Sequence, residues 1–183
     1  MKTTLILLCL LTAAFPLVAQ EGPVGIDGIE TGVSTGVPLS DFADVASFGI
    51  GAQVRVPIIF RGLPGLVVRP QTAVLFYFSP LANVSGILTL RLDATAGWAF
   101  RITDGIAITP TLGYGALFHL ALADSPLFFV DSGFTVAVEG SFAVTETIAL
   151  YVEPGYQFFL EKDALSHQLL INAGVKFSTG GNK

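Results

Sequence analysis

Cysteine is nearly absent: the chain has one, Cys9, and it lies in the N-terminal apolar run. Disulfides and thiolate metal sites are therefore excluded from everything beyond that run. Charge is scarce too, at 13% of the 183 residues, against the roughly 25–35% that a water-facing surface carries. Mean hydropathy is +0.70, so something other than water must face much of the chain. Yet past the N-terminus no stretch reaches the ~18 uninterrupted apolar residues that a membrane helix requires. A basic run is also missing, and acids outnumber bases 14 to 9, which leaves nucleic-acid binding without an electrostatic basis.

What is present begins with "MKTTLILLCLLTAAFPLVAQ". Lys2, an apolar core from Leu5 to Leu11 and small residues near Ala19 form the pattern of a secretory signal peptide. Residues 1–19 are expected to be cleaved after export through the Sec pathway. Cys9 lacks the preceding small residue of a lipoprotein site and leaves with the leader. Residues 20–183 then form one domain, with 8 basic against 14 acidic residues.

That domain reads as eight strands: 28–39, 47–60, 66–78, 87–102, 106–122, 130–144, 148–161 and 168–177. Each approaches or exceeds the ~9–11 residues of a tilted membrane strand. In 87–102, Leu88, Leu90, Leu92, Ala94, Ala96, Trp98 and Phe100 alternate with Thr89, Arg91, Asp93, Thr95, Gly97, Ala99 and Arg101. Every charge lies on one face. The sixth strand sets Phe134, Val136, Val138, Phe142 and Val144 against Asp131, Thr135, Glu139 and Ser141, and the eighth repeats the split. A period of two sustained over eight segments is a strand signature.

A soluble barrel would alternate as well, so residue size must decide which face points inward. The polar face is rich in glycine and threonine, small enough to crowd around an axis, whereas the apolar face is large. Small polar residues inside and large apolar residues outside is the membrane arrangement. An eight-stranded antiparallel up-and-down transmembrane β-barrel is the expected fold. Its apolar-face aromatics should form two bands: Phe60, Trp98, Phe100, Phe142 and Phe177 at the rim that carries the termini, and Phe48, Phe76, Phe78, Phe118, Tyr156 and Phe158 toward the other.

The connections agree. Turns on the terminal side, such as Thr103-Asp104-Gly105 and Thr145-Glu146-Thr147, are short, and those opposite are longer. Three-residue turns predict a left-handed residue at Gly105 and, less favourably, at Thr147. "AFRITDGIAITPTLGYG" and "SFAVTETIALYVEPGYQ" echo each other, and Pro110 and Pro154 within them predict bulges.

The scarce charges concentrate on the inner face: Arg55, Arg69, Arg91, Arg101 and Lys176 with Glu30, Asp93, Asp131, Glu139 and Glu153. Mutual pairing would offset their desolvation, and a one-residue register slip would put five basic groups in lipid at about 2–4 kcal/mol each near the midplane. The turn at 145–147 should set Glu139 opposite Glu153, and a six-residue loop at 162–167 should bring Glu153 opposite Lys176. Two opposed carboxylates have a chemical reading as an acid/base pair; the other reading is a salt-bridge network filling the interior. His119 should face the lumen near the far rim, and His167 should lie at the last outer loop. They sit on distant strands, so no metal site, cofactor or catalytic group is expected.

The hairpin "RITDGIAITPTLGYG" and the closing "LLINAGVKF" make the chain resemble the small eight-stranded bacterial outer-membrane barrels, the group of the OmpA membrane domain, OmpX and OmpW. The resemblance spans the mature chain, although "STGGNK" follows the aromatic on which such chains usually end. It implies residence in the outer membrane of a diderm bacterium, in contact with lipid and lipopolysaccharide-like lipid. It also implies recognition of the last strand by the assembly machinery, and a monomer. The function implied is non-enzymatic, structural or a minor small-solute permeation. The alternatives are adhesion or defence, which the short outer loops weaken, and lipid A deacylation, whose histidine-x-serine and Asn-Ala-Gly pattern "SHQLLINAGV" does not reproduce.

Overall fold

The computed structural model describes residues 23–160 and 166–178; the predicted leader and most of the predicted loop at 162–167 lie outside them. Eleven strands follow in order: β1 (Val24–Ile26), β2 (Ile29–Leu39), β3 (Phe48–Arg55), β4 (Ile58–Phe60), β5 (Leu66–Phe78), β6 (Val84–Trp98), β7 (Phe100–Thr103), β8 (Ile106–Ala123), β9 (Leu127–Ala143), β10 (Ile148–Phe159) and β11 (His167–Phe177). Three are continuations of a neighbour past a short break, so the wall has eight antiparallel staves. It closes where β11 pairs β2, from His167 opposite Leu39 to Phe177 opposite Ile29. Closure removes the unpaired edge that an open sheet would present in lipid.

The breaks have local causes. Gly28, between β1 and β2, takes φ +116, and a Cβ there would fall on the Phe177 carbonyl. The adjoining stave breaks beside it at Pro57, which has no N–H to give the ladder but whose carbonyl accepts from the Asp27 N–H at 2.9 Å. The first two staves thus kink together at the terminal rim. Gly65, at φ +107, turns the 61–65 connection under the Trp98 indole.

Two turn expectations need correction. Neither Gly105 nor Thr147 is left-handed. At the first turn the register shifts between Arg101 and Thr103. This bulge absorbs the extra residue, and the Thr103 hydroxyl accepts from the Gly105 N–H at 3.3 Å. At the second, the Thr145 hydroxyl accepts from the Thr147 and Ile148 N–H groups at 3.3 and 3.0 Å, so a side-chain cap replaces the unusual backbone. The prolines also behave differently from expectation. Pro154 falls where rungs to β9 are missing between Val152–Gly140 and Gly155–Ala137, yet the register is unchanged. Pro110 pairs Val138 without a shift. Each proline removes a donor without adding a residue, so no bulge forms.

Alternation along each stave sorts the side chains. Outward positions such as Leu112, Val136, Val138 and Val152 are exposed, and their inward neighbours are buried. The aromatics named for the two bands all occupy outward positions. Register extends the band at Phe158 into a cross-strand row, Tyr114–Phe134–Phe158; its Tyr114 and Phe134 rings lie 4.9 Å apart.

Candidate functional site

The barrel interior is the only place where the described residues gather charge, and it is built in tiers. Nearest the terminal rim, Lys176 Nζ lies 2.6 Å from Asp27 Oδ2 and 3.9 Å from Glu30 Oε1. Above it sits an ionic girdle drawn from five staves. Arg55 reaches Glu30 through Nε at 2.7 Å, Glu139 through Nη2 at 2.7 Å and Glu153 through Nη1 at 2.9 Å. Its guanidinium carbon also rests 4.2 Å from the Tyr151 ring centre. Arg69 holds the other Glu139 oxygen at 2.9 Å and approaches Glu30 at 3.6 Å. Asn172 donates to Glu153 at 2.9 Å and accepts from Ser34 at 2.7 Å. The three girdle carboxylates are thus met by Arg55 and Arg69, while Lys176 is held by Asp27 and stands 3.9 Å from Glu30.

The sequence-level register is half recovered. The β9–β10 register does set Glu139 opposite Glu153, in the gap between the Val152–Gly140 and Gly155–Ala137 rungs. Across the other seam Glu153 faces Asn172, and Lys176 faces Ala149. The rungs nearest the far rim set Phe158 opposite His167 and join the Phe159 N–H to the Ser166 carbonyl at 2.8 Å, so the ladder places Glu153 four residues away from the register that a loop at 162–167 implied. Arg55 occupies the bridging role expected of Lys176.

The remaining predicted charges do not join this girdle. Arg91 and Asp93 form their own pair, at 3.4 Å, and Gln71 donates to Asp93 at 2.7 Å. Arg101 is exposed at the terminal mouth, because β7 continues past the break at Ala99 to where the lumen opens. Asp131 lies at the far end, 3.4 Å from His119 Nε2. The ten predicted charges therefore divide into the girdle with Lys176, the Arg91–Asp93 pair, Asp131 beside His119, and Arg101 apart from them at the mouth.

Beyond the charges the lumen fills with amides and rings. Tyr77 donates to Gln168, Gln168 to Gln157 and Gln157 to Thr135, at 2.7, 2.7 and 3.1 Å. Gly49 makes room for this ladder, since a Cβ there would fall on the Tyr77 ring. Substituting Gln168→Leu strands the Tyr77 hydroxyl and the Gln157 carbonyl. It is expected to lower stability by about 1–3 kcal/mol, read as the denaturant midpoint in lipid vesicles. The far end is closed by Phe42, which Ser40 (φ 53) and a short 3₁₀ turn, Ser40–Asp44, carry down from the loop. Phe42 meets Tyr77 at 5.2 Å and Phe159 at 5.5 Å, edge to face, over a floor of Leu75, Ile87 and Leu117.

Strand parity could have named Tyr77, Tyr151, Gln53, Gln71, Gln157 and Phe159, all on the charged face. Phe42 carries no such signal, since its inward position depends on a loop backbone.

The enzyme readings find little geometry. Thr89 Oγ1 lies 2.8 Å from His119 Nδ1, in line with Asp131. The hydroxyl is fully buried, however, and does not line the small recess, about 290 Å³, that reaches His119. Ser166 is buried whereas His167 stacks on the outward Tyr156 at 5.5 Å, so this neighbouring pair points to opposite faces. No group of metal-binding side chains occurs among the described residues.

No protein-family model and no characterised protein sequence matches the chain. Solved structures do. Neisserial surface protein A superposes with a TM-score of 0.66 at 14% identity, over 86% of this chain and 97% of that one. The attachment invasion locus protein Ail of Yersinia pestis gives 0.56 at 15%, over 84% and 99%. The N-terminal barrel domain of Pseudomonas aeruginosa OprF gives 0.54 at 12%, over 82% and 98%. Strand number and closure agree with these matches: the chain has the fold of the small eight-stranded outer-membrane β-barrels.

Proposed function

We propose that this chain is a structural, non-enzymatic barrel of a bacterial outer membrane, with a lumen closed to solutes. The carrying observation is the girdle. Arg55, with no exposed surface, is bound by carboxylates from three other staves, so a cross-section of the barrel is spanned by paired side chains. The Phe42–Tyr77–Phe159 cluster makes a second closure above it. Eight staves give an interior that side chains can fill, and here they do so twice. The structural role is favoured over minor permeation on that ground.

In this reading the terminal rim faces the periplasm and the longer connections face outward. The lipid-facing surface contacts lipopolysaccharide-like lipid, and the assembly machinery reads β11. The chain works as a monomer. Ion conductance in a planar bilayer tests the closure. Refolded protein, shown by its circular dichroism to be barrel, is expected to give no discrete openings. Reproducible unitary currents would establish a water path and overturn the plug.

A further inference from the structure

The girdle closes the lumen from one side but leaves a vestibule beneath it. This recess, of about 750 Å³, opens at the terminal rim and is lined by Arg61, Arg69, Arg101 and Lys176 against Asp27 and Glu139. Both acids are already engaged: Asp27 by Lys176, and Glu139 by Arg55 and Arg69. Arg61 and Arg101 form no ion pair among the described residues, and they project from two different walls, the 61–65 turn and β7. At the inner end Arg69 is 3% exposed, and its Nη1 has no hydrogen-bond partner. A buried guanidinium nitrogen without an acceptor is unfavourable by itself, and Arg69 is among the residues that line the recess. The positive lining also runs against the net charge of the chain, −5.

We infer that this vestibule is a binding site for a small polyanion carrying phosphate or carboxylate oxygens. Arg69 Nη1 would donate at the closed end, and Arg61 and Arg101 would clamp the anion at the mouth, using the planar donor fork that suits such groups. The ligand enters and leaves by the same rim. The site depends on the proposed closure only for its floor, and the two fail separately: conductance reads the floor, whereas binding reads the pocket.

The test is calorimetric titration of the refolded chain, residues 20–183, in uncharged detergent, with pyrophosphate and citrate as probes and chloride as the control anion. Saturable one-to-one binding of at least one probe is expected. Arg101→Gln and Arg61→Gln should each weaken it about tenfold, the equivalent of one charge-assisted contact. Both residues lie at the exposed rim, outside the girdle, so these variants keep the packed interior intact; Arg69→Lys is the deeper probe. Tighter binding of pyrophosphate assigns a phosphate ligand, and tighter binding of citrate a carboxylate one. Absence of saturable binding up to about 10 mM, or binding that neither arginine substitution weakens, would overturn the assignment.

Discussion

Arg55→Met is expected to destabilise the barrel by about 3–5 kcal/mol, the cost of breaking a buried ion pair by removing one partner. Methionine approximates the arginine stem in volume, so little cavity is created and the loss is electrostatic. The substitution leaves Glu30, Glu139 and Glu153 gathered around an apolar side chain, with Arg69 holding Glu139 and Asn172 holding Glu153. Denaturant titration of the folded protein in lipid vesicles reads the shift. The companion measurement separates a charge effect from packing: Glu30→Gln and Glu153→Gln added to Arg55→Met should recover much of the loss, because the two carboxylates left without Arg55 no longer carry buried charge while Glu139 keeps Arg69. An unchanged midpoint for Arg55→Met alone would show that the girdle is hydrated and that its contacts carry little energy.

This girdle also shows how far the amino-acid sequence reaches. Alternation places Glu30, Arg55, Arg69, Glu139 and Glu153 on one face because a pleated strand has a period of two. It cannot say which of them touch, since contact across a barrel depends on stagger between staves far apart in the chain. Glu139 and Glu153 are legible as opposed because a three-residue turn fixes their register. Lys176 is not, because its register depends on where β10 gives way to β11, and alternation runs through Phe159 without marking that point. Arg101 has the right parity but lies beyond the break at Ala99, past the end of the filled lumen. Local pattern is read from residues two apart, and depth along the axis needs the whole closed ladder.

The second large effect concerns the other face. On β9, the outward aromatics Phe134 and Phe142 stand eight residues apart; at about 3.3 Å per residue and a tilt of roughly 35–45° they span about 20 Å along the barrel axis. Val138 lies midway, 46% exposed, beside the buried Glu139. Two adjacent residues are therefore assigned to hydrocarbon and to the lumen. Val138→Arg is expected to cost about 2–4 kcal/mol, the penalty for arginine on a lipid face near the midplane. The same substitution on a water-facing sheet would change stability by about 0.5 kcal/mol or less. The midpoint of unfolding from vesicles distinguishes the two. A loss confined to the vesicle measurement and absent in detergent of shorter chain length would place the cost in the bilayer. An unchanged midpoint in vesicles would mean that this apolar face does not meet lipid at Val138, and the inside-out reading of the alternation would fail where it is most exposed.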